Sequence, residues 1–576
     1  MGRGRGRGRG PKKGQEHGRG HLQEQEVHGS RPGPCSLNEI LNFPDMVFTR
    51  LLEGEHGSER RARLQALVAN GLCLHTQYSG KGTAETCLAH LRQALLDAGV
   101  LAESVPWYTA SAFDSKDFAC KVLQSHSPES RPRCIFGAME ECLSPEVRTE
   151  LDRMCPAKSQ SAVQRQHAYD AMNELLKNDL ARAFPAQHTA ACRMHPGKLH
   201  GCAVWPEPSS KGELCMFVAG QTCKDVSRRG SRQGFAGPNT RSYVVWLGMV
   251  RHRQPDMFLH EITCSSEAAE RLEKDLGDLY DILTCACVSP HHLGVPVQRQ
   301  RQYSVGVLRG KLVHLGSWEE FFQVMGSRCE LTGAVFYAAS AEHRCEVSQH
   351  MAKKQGWYHK PGQQPSLQEQ LTPAEFRRFA EYQKVAGERG LGPGEFFCAD
   401  VDQEVGFGDV SVLAPCLLSH GKIVHGREEF VATSLEHLLM MGENALPNVD
   451  CKYVCPFRDF AWETRMNSGA WKDVAGNAMH LQVLHAVMAY FLCSVARIPQ
   501  ELQLSSFRRG YTAEDVESQG LESELPEDAS SGAAQSSQSA QAAVASQSPD
   551  SACQTNEAVA VEPQPRPAPA KKLRLA

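Results

Sequence analysis

The chain has 576 residues, 41% hydrophobic and 22% charged, enough for a large core and about four folding units at most. A formal net charge of −4 excludes a generic polyanion binder, and no run reaches the ~18 apolar residues a membrane helix needs. Twenty-two cysteines without dense regular spacing, and a start lacking the apolar stretch of a signal peptide, point to reduced thiols and argue against secretion.

Residues 1–44 read as a disordered arm. Arg3, Arg5, Arg7, Arg9, Lys12, Lys13 and Arg19 face one acid, Glu16, within the first twenty positions. Glycine alternation prevents a helix, so the arm either contacts phosphates loosely or merely solubilises the chain. From 45 to about 505 short apolar runs alternate with amphipathic stretches, the rhythm of a wound α/β domain. Ala66–Leu74 leads into the glycine turn Tyr78-Ser79-Gly80-Lys81-Gly82-Thr83. A helix follows, with Cys87, Leu88, Leu91, Ala94 and Leu95 on one face. Strands are predicted at Arg133–Gly137, Leu214–Gly220, Met257–Glu261 and Ser304–Leu308, and a helix over 160–184. Residues 309–425 lose this rhythm and read as a separate irregular module. Past Gly510 ten acids and one base, Arg566, lie between Tyr511 and Ala570, a composition that cannot fold. Lys571, Lys572 and Arg574 then form a short basic patch of the nuclear-import kind.

Three local features carry chemistry. The Gly80/Gly82 turn between strand and helix lets a backbone approach a ligand closely, although many helix starts hold two glycines and no ligand. In Gly220-Gln221-Thr222-Cys223-Lys224-Asp225-Val226-Ser227, Cys223 follows a strand, and Lys224 favours its thiolate. The strand through Leu259 ends in the carboxylate Glu261, either a catalytic acid or a solvated strand end. Cys192, His195, His200 and Cys202 have zinc-ligand chemistry within eleven residues but match no finger template, so no metal is assigned.

The order of these pieces resembles the cytosine-5 DNA methyltransferases, as a divergent eukaryotic member. Tyr78–Thr83 is similar to that family's Phe-x-Gly-x-Gly-Gly cofactor loop, Gly220–Ser227 to its Gly-Pro-Pro-Cys-Gln-x-Phe-Ser nucleophile loop, and Leu259–Thr263 to its Glu-Asn-Val strand end. Gly294-Val295-Pro296-Val297-Gln298-Arg299-Gln300-Arg301 resembles Gly-Val-Pro-Gln-Arg-Arg-x-Arg. Arg427 to Thr433 with Glu436 and Gly442 faintly resembles an Arg…Leu-Thr-x-x-Glu segment, and Val474–Met479 the closing Val-Gly-Asn-Ser/Ala-Val motif.

The resemblance implies an α/β fold: a Rossmann-like S-adenosylmethionine-dependent methyltransferase domain, a smaller irregular target-recognition domain and disordered termini. The catalytic domain would run over 45–308 with an insertion at about 145–213, and be completed by a return segment at 426–505. Residues 309–425 would read bases, helped by the basic-aromatic cluster Lys353, Lys354, Trp357, Tyr358, His359 and Lys360, or hold those aromatics packed in a turn. Residues 506–576 would be a tail. Cys223 would be the nucleophile, Glu261 would neutralise charge on the base, and Arg299 and Arg301 would orient it. Tyr78, Ser79, Gly80, Gly82, Thr83, Asp114, Asn477 and Ala478 would hold the cofactor. Arg228, Arg229, Arg232 and Arg241 would form a cationic lid over DNA, or a solvated loop. The implied partner is DNA, possibly RNA, without a membrane, and the implied location is the nucleus. A catalytically silent DNA-binding relative is the other reading.

The sequence departs from the family in places. Thr222, Lys224 and Val226 flank the cysteine, Ile262 and Thr263 follow Glu261, and Val297 replaces a glutamine. Ala112 stands where a ribose-binding carboxylate is expected and Ala138 where an adenine-binding aspartate is, with Glu140 a candidate substitute.

Overall fold

The computed structural model describes residues 31–499 apart from 55, 206–210, 222–224, 226–232, 393, 407 and 409. Its described chain reaches into the arm expected to be disordered. Residues 31–44 include the helical turn Leu37–Leu41, capped by the Ser36 side chain, and bury Ile40, Leu41 and Phe43 in the main core. Residues 31–44 therefore belong to the folded body, because an apolar Ile-Leu-x-Phe cluster follows the glycine-rich stretch.

Helices α1 (Phe43–Leu52) and α2 (Gly57–Val68) precede β1 (Leu72–Gln77), α3 (Thr83–Asp97), β2 (Trp107–Phe113), α4 (Asp117–Gln124) and β3 (Cys134–Phe136). The insertion contributes α5 (Pro145–Met154), α6 (Ala162–Asn178) and a two-rung hairpin, Thr189–Ala190 against Cys202–Ala203. Next come β4 (Leu214–Gly220), α7 (Thr240–Arg253), β5 (Met257–Ile262), α8 (Ser266–Leu276), β6 (Tyr280–Val288) and β7 (Arg301–Leu308).

Strands β1 to β7 form one sheet in the order β3-β2-β1-β4-β5-β7-β6, parallel except for β7, which runs antiparallel to both neighbours. The first five positions follow the doubly wound Rossmann order, which reverses between β1 and β4. Alternate residues explain the layering. Leu214, Met216 and Val218 of β4 join one core with α1, α3 and the later helix α14, whereas Phe217 and Ala219 join a second core with α6 and α7. Strands buried on both faces read as continuous apolar runs, and four of the seven were visible as such in the sequence.

The segment after β7 departs from the expected boundary at 309. Strand β8 (Leu312–His314) and α9 (Trp318–Met325) stay with the main body, and Phe321 and Met325 lie in its core. The excursion proper follows, with α10 (Ala341–Lys354), α11 (Pro373–Glu388) and an antiparallel sheet of β9 (Cys398–Asp400), β10 (Ile423–His425) and β11 (Phe430–Val431). Phe379, Tyr382, Phe397 and Val401 give it a small core of its own. The chain returns through α12 (Ser434–Met440), α13 (Ser468–Asn477) and α14 (Leu481–Cys493). It closes with β12 (Val495–Arg497) paired to β8. Helix α14 is buried at every residue and packs on α1 and α3, so the return segment is part of the main core.

Candidate functional site

Open α/β sheets bind ligands at the carboxyl ends of their strands, where the strand order reverses. Here that point lies between β1 and β4, and the sequence-predicted residues collect around it. Leaving β1, Tyr78, Gly80 and Gly82 have φ of 55°, 58° and 88°. A Cβ at Gly82 would lie 2.4 Å from the His126 ring, so no other residue fits there. At Gly80 a Cβ would meet nothing nearer than the Tyr78 carbonyl at 4.0 Å, so the loop opens outward as a cradle.

The rest of the loop is fixed by polar contacts. Ser79 N–H donates to the Phe113 carbonyl (3.0 Å), and the Ser79 hydroxyl meets Thr76 Oγ1 at 2.8 Å. Thr76 in turn donates to Glu85, whose carboxyl burial pushes up to about 7. Thr83 faces inward, accepting from Lys81 Nζ (3.1 Å). Lys81 and Glu443 form an ion pair with both side chains 0% exposed, tying the glycine loop to the return segment.

At the end of β2, Asp114 accepts from the Gly80 amide (2.8 Å) and the Lys116 amide (2.8 Å). Ala112 is fully buried beside Cys120, Leu123 and Ile135, so a carboxylate there would face an apolar pocket. The acid that meets the glycine loop at the strand end is Asp114. At the end of β3, Glu141 accepts from the amides of Gly137 (3.1 Å) and Ala138 (3.3 Å). Glu140, the suggested substitute, instead faces Arg241 at 3.6 Å. Glu141 was missed in the sequence, where only its spacing of four from Gly137 could have marked it.

These residues suit a nucleoside-bearing cofactor. The cradle at Gly80 is open, a partly exposed carboxylate stands beside it, and Gln77, fully buried at the end of β1, has neither side-chain amide atom hydrogen-bonded among the described residues. Such an orphaned amide costs roughly 1–3 kcal/mol unless something satisfies it.

The second half of the site lies at the ends of β4 and β5. Gln221 N–H donates to the Glu261 carbonyl (2.9 Å), and His260 Nε2 donates to Gln221 Oε1 (2.9 Å). A Cβ on Gly220 would lie 3.4 Å from Met479 and 3.6 Å from Glu261, so the first nucleophile-loop residue, the acid and the closing motif are in contact range. Cys223 and lid residues Arg228, Arg229 and Arg232 lie outside the described residues. Between them in sequence, Asp225 accepts from the Asn239 amide (2.8 Å) and side chain (2.9 Å), just before the start of α7. Arg241, assigned to the lid, instead reaches Asp152 of α5 at 2.7 Å.

Because β7 is antiparallel, its amino end lies at the carboxyl edge of the parallel strands. That reversal delivers Arg299 and Arg301 to the site. Arg301 Nε stands 3.0 Å from Glu261 Oε1. Arg299, buried, donates to the carbonyls of Gly476 (3.3 Å) and Ala478 and so holds the closing motif. Burial raises the Glu261 carboxyl above its usual range, against the opposing pull of Arg301 and then Arg299. Ala478 is buried against this arginine, but Asn477 is exposed and its amide turns back to Asp473 (2.9 Å). Asp473 pairs with Lys116, so Asn477 meets the cofactor loops only indirectly. Glu436 caps α12 by accepting from the Thr433 amide (2.7 Å), a structural role.

In the excursion, Trp357 and Tyr358 are 54% and 79% exposed beside Lys353, Lys354 and Lys360, so the aromatics are not packed in a turn. His359 lies 3.6 Å from Glu369.

Fold and site together define a doubly wound α/β protein with a glycine-loop pocket and an acid–arginine centre at adjoining strand ends. No family model and no curated protein matches the chain. Among solved structures it is similar to the S. pombe Dnmt2 methyltransferase, at 14% identity over 73% of this chain and 98% of that one, with a TM-score of 0.33. It is also similar to an E. coli prophage-encoded protein described as a DNA modification methyltransferase (13%, 73% and 98%, TM-score 0.36). A Spodoptera frugiperda DNMT2 mutant is similar at 12% identity, over 73% and 99% of the chains, with a TM-score of 0.35.

Proposed function

We propose that this chain is an S-adenosylmethionine-dependent methyltransferase acting on C5 of cytosine in DNA. The observation that carries the reading is the meeting of Gly220, Glu261, Arg301 and Met479 at the ends of β4 and β5, four positions from four separate motifs. Their order along the chain adds to it, as does the open glycine cradle at the switch point.

When bound, S-adenosylmethionine supplies an electrophilic methyl group. Tyr78, Ser79, Gly80, Gly82 and Asp114 would hold it, with Ala478 closing the site; Thr83 steadies the loop through Lys81, while Asn477 is turned toward Asp473. Cys223 adds through sulfur to C6 of a base swung out of the duplex, which turns C5 into a carbon nucleophile. Glu261, whose hold on its proton is strengthened by burial, donates a proton to N3 and relieves the charge that sulfur addition places on the ring. Arg301 fixes the Glu261 carboxyl and Arg299 fixes the backbone around Ala478. After methylation, loss of the C5 proton expels the sulfur and frees Cys223. Exposed Trp357 and Tyr358 with their lysines offer stacking and phosphate contact to the nucleic acid.

A 5-fluorocytosine oligonucleotide tests this, because fluorine cannot leave as a proton does and the sulfur adduct is trapped. The expected result is a denaturation-stable protein–DNA adduct that requires S-adenosylmethionine and disappears in Cys223→Ser. An adduct with RNA alone would move the substrate to RNA. Salt-dependent DNA binding without adduct or cofactor affinity would identify a silent binding protein instead.

A further inference from the structure

The insertion and strand β3 together carry a second constellation, apart from the acid–arginine centre. Sγ of Cys134, Cys192 and Cys202 and a ring nitrogen of His195 all lie within 4.8 Å of one another, the one such group of three or more ligands among the described residues. His195 Nδ1 is 3.3 Å from Cys202 Sγ, 3.4 Å from Cys192 Sγ and 3.9 Å from Cys134 Sγ. A tetrahedron with Zn–S near ~2.3 Å and Zn–N near ~2.0 Å has sulfur–nitrogen edges of about 3.5 Å. The three sulfur–nitrogen distances lie close to that spacing.

The backbone is shaped for it. Cys192 follows the first strand of the insertion hairpin and Cys202 begins the second. Between them the chain tightens through His195 N–H to the Cys192 carbonyl (3.2 Å), Lys198 N–H to His195 (3.1 Å) and Gly201 N–H to Lys198 (3.0 Å). Gly201 has φ of 70°, and a Cβ there would lie 2.2 Å from the Ala190 carbonyl, so the turn depends on glycine. Arg193 N–H donates to the Ile135 carbonyl (2.8 Å), which lays this knuckle on β3 and brings Cys134 to it. His200 stays outside the group, exposed on the rim of the turn.

We propose that Cys134, Cys192, His195 and Cys202 bind one zinc ion that staples the 145–213 insertion to the edge strand of the central sheet. Four protein ligands leave no open position for substrate, so the ion is structural. The location agrees, since Cys134 lies in the edge strand β3, three positions in the sheet from β4, whereas the acid–arginine centre lies at the carboxyl ends of β4 and β5. The proposal does not depend on the methyltransferase reading. Three sulfurs crowded around one imidazole repel one another as thiolates, and a divalent cation offsets most of that charge while binding releases their protons.

The experiment uses the full chain purified under reducing conditions. Elemental analysis should find about one zinc per chain, and cobalt exchange should give the intense visible bands and thiolate charge-transfer absorption of a tetrahedral sulfur-rich site. Cys202→Ser and Cys134→Ser should lose most of the metal, while His200→Ala should keep it. If the cysteine variants fail to fold, stoichiometry and the cobalt spectrum of the unaltered chain decide the matter. The proposal is overturned by a chain that neither carries nor takes up zinc, by an octahedral cobalt spectrum, by metal loss in His200→Ala, or by a Cys192–Cys202 disulfide in the intact mass.

Discussion

Glu261 combines three physical influences in one carboxyl group. Burial favours its neutral form, Arg301 at 3.0 Å and Arg299 favour the charged form, and burial prevails. A raised pKa keeps the proton above the ordinary carboxylate range, and the proton is lost as pH rises through the raised value. Methyl transfer that needs this proton should therefore fall with rising pH on that limb. Glu261→Gln should lower kcat by about 10²–10⁴-fold, the usual contribution of a general acid, while leaving DNA affinity nearly unchanged. It should also remove the limb from the pH–rate profile. Retention of the limb in the variant would assign it to another group.

At the scale of elements, the junction between the glycine loop and the return segment rests on Lys81 and Glu443. Both side chains are fully buried, and burial raises the Glu443 carboxyl against the pull of Lys81. A buried charge left without its partner is costly, whereas replacing both partners by apolar groups is often neutral. Lys81→Met should destabilise the fold by about 3–5 kcal/mol, and adding Glu443→Leu should recover most of that loss in denaturant unfolding. Equal destabilisation by the single and double changes would show that shape rather than charge is fixed here. Helix α14 reaches the same junction by a different route, packing its buried surface on α1 and α3. The first and last parts of the main body are thus interdependent, although more than 350 residues separate Lys81 from Glu443.

For the whole molecule, pH acts through two opposed sets of buried groups. His75, His260 and His480 are pushed down to about 3, and His90 and His126 to about 4, in each case mainly by burial. Unfolded, these rings take a proton near 6.5, so each contributes stability that is lost as pH falls below that value, by up to ~1.4 kcal/mol per pH unit. Glu85, raised to about 7, and the raised Glu436 and Glu443 act the other way, since folded carboxyls hold protons that unfolded ones release above about 4.5. The melting temperature should thus fall as pH drops from about 6.5 to 4.5, less steeply than the histidines alone would require, and more steeply below, where only the histidines still discriminate. A slope that does not steepen below about pH 4.5 would mean that the carboxyls do not oppose them. The strands at Leu214–Gly220 and Met257–Ile262 and helix α3 were legible because double-sided burial and a 3.6-residue period leave local marks. Strand β2 was hidden by its small residues Ala110, Ser111 and Ala112, and β6 by its half-exposed edge position. The sequence by itself determined the wound α/β class, the glycine turn and the order of the motifs, all set by neighbours a few positions apart. Only the tertiary structure decided that an antiparallel β7 carries Arg301 to Glu261, that Asp114 rather than residue 112 faces Gly80, and that Cys134 joins the Cys192–Cys202 knuckle. Those pairings follow from sheet order and from the desolvation of distant side chains against one another, which no local stretch of sequence encodes.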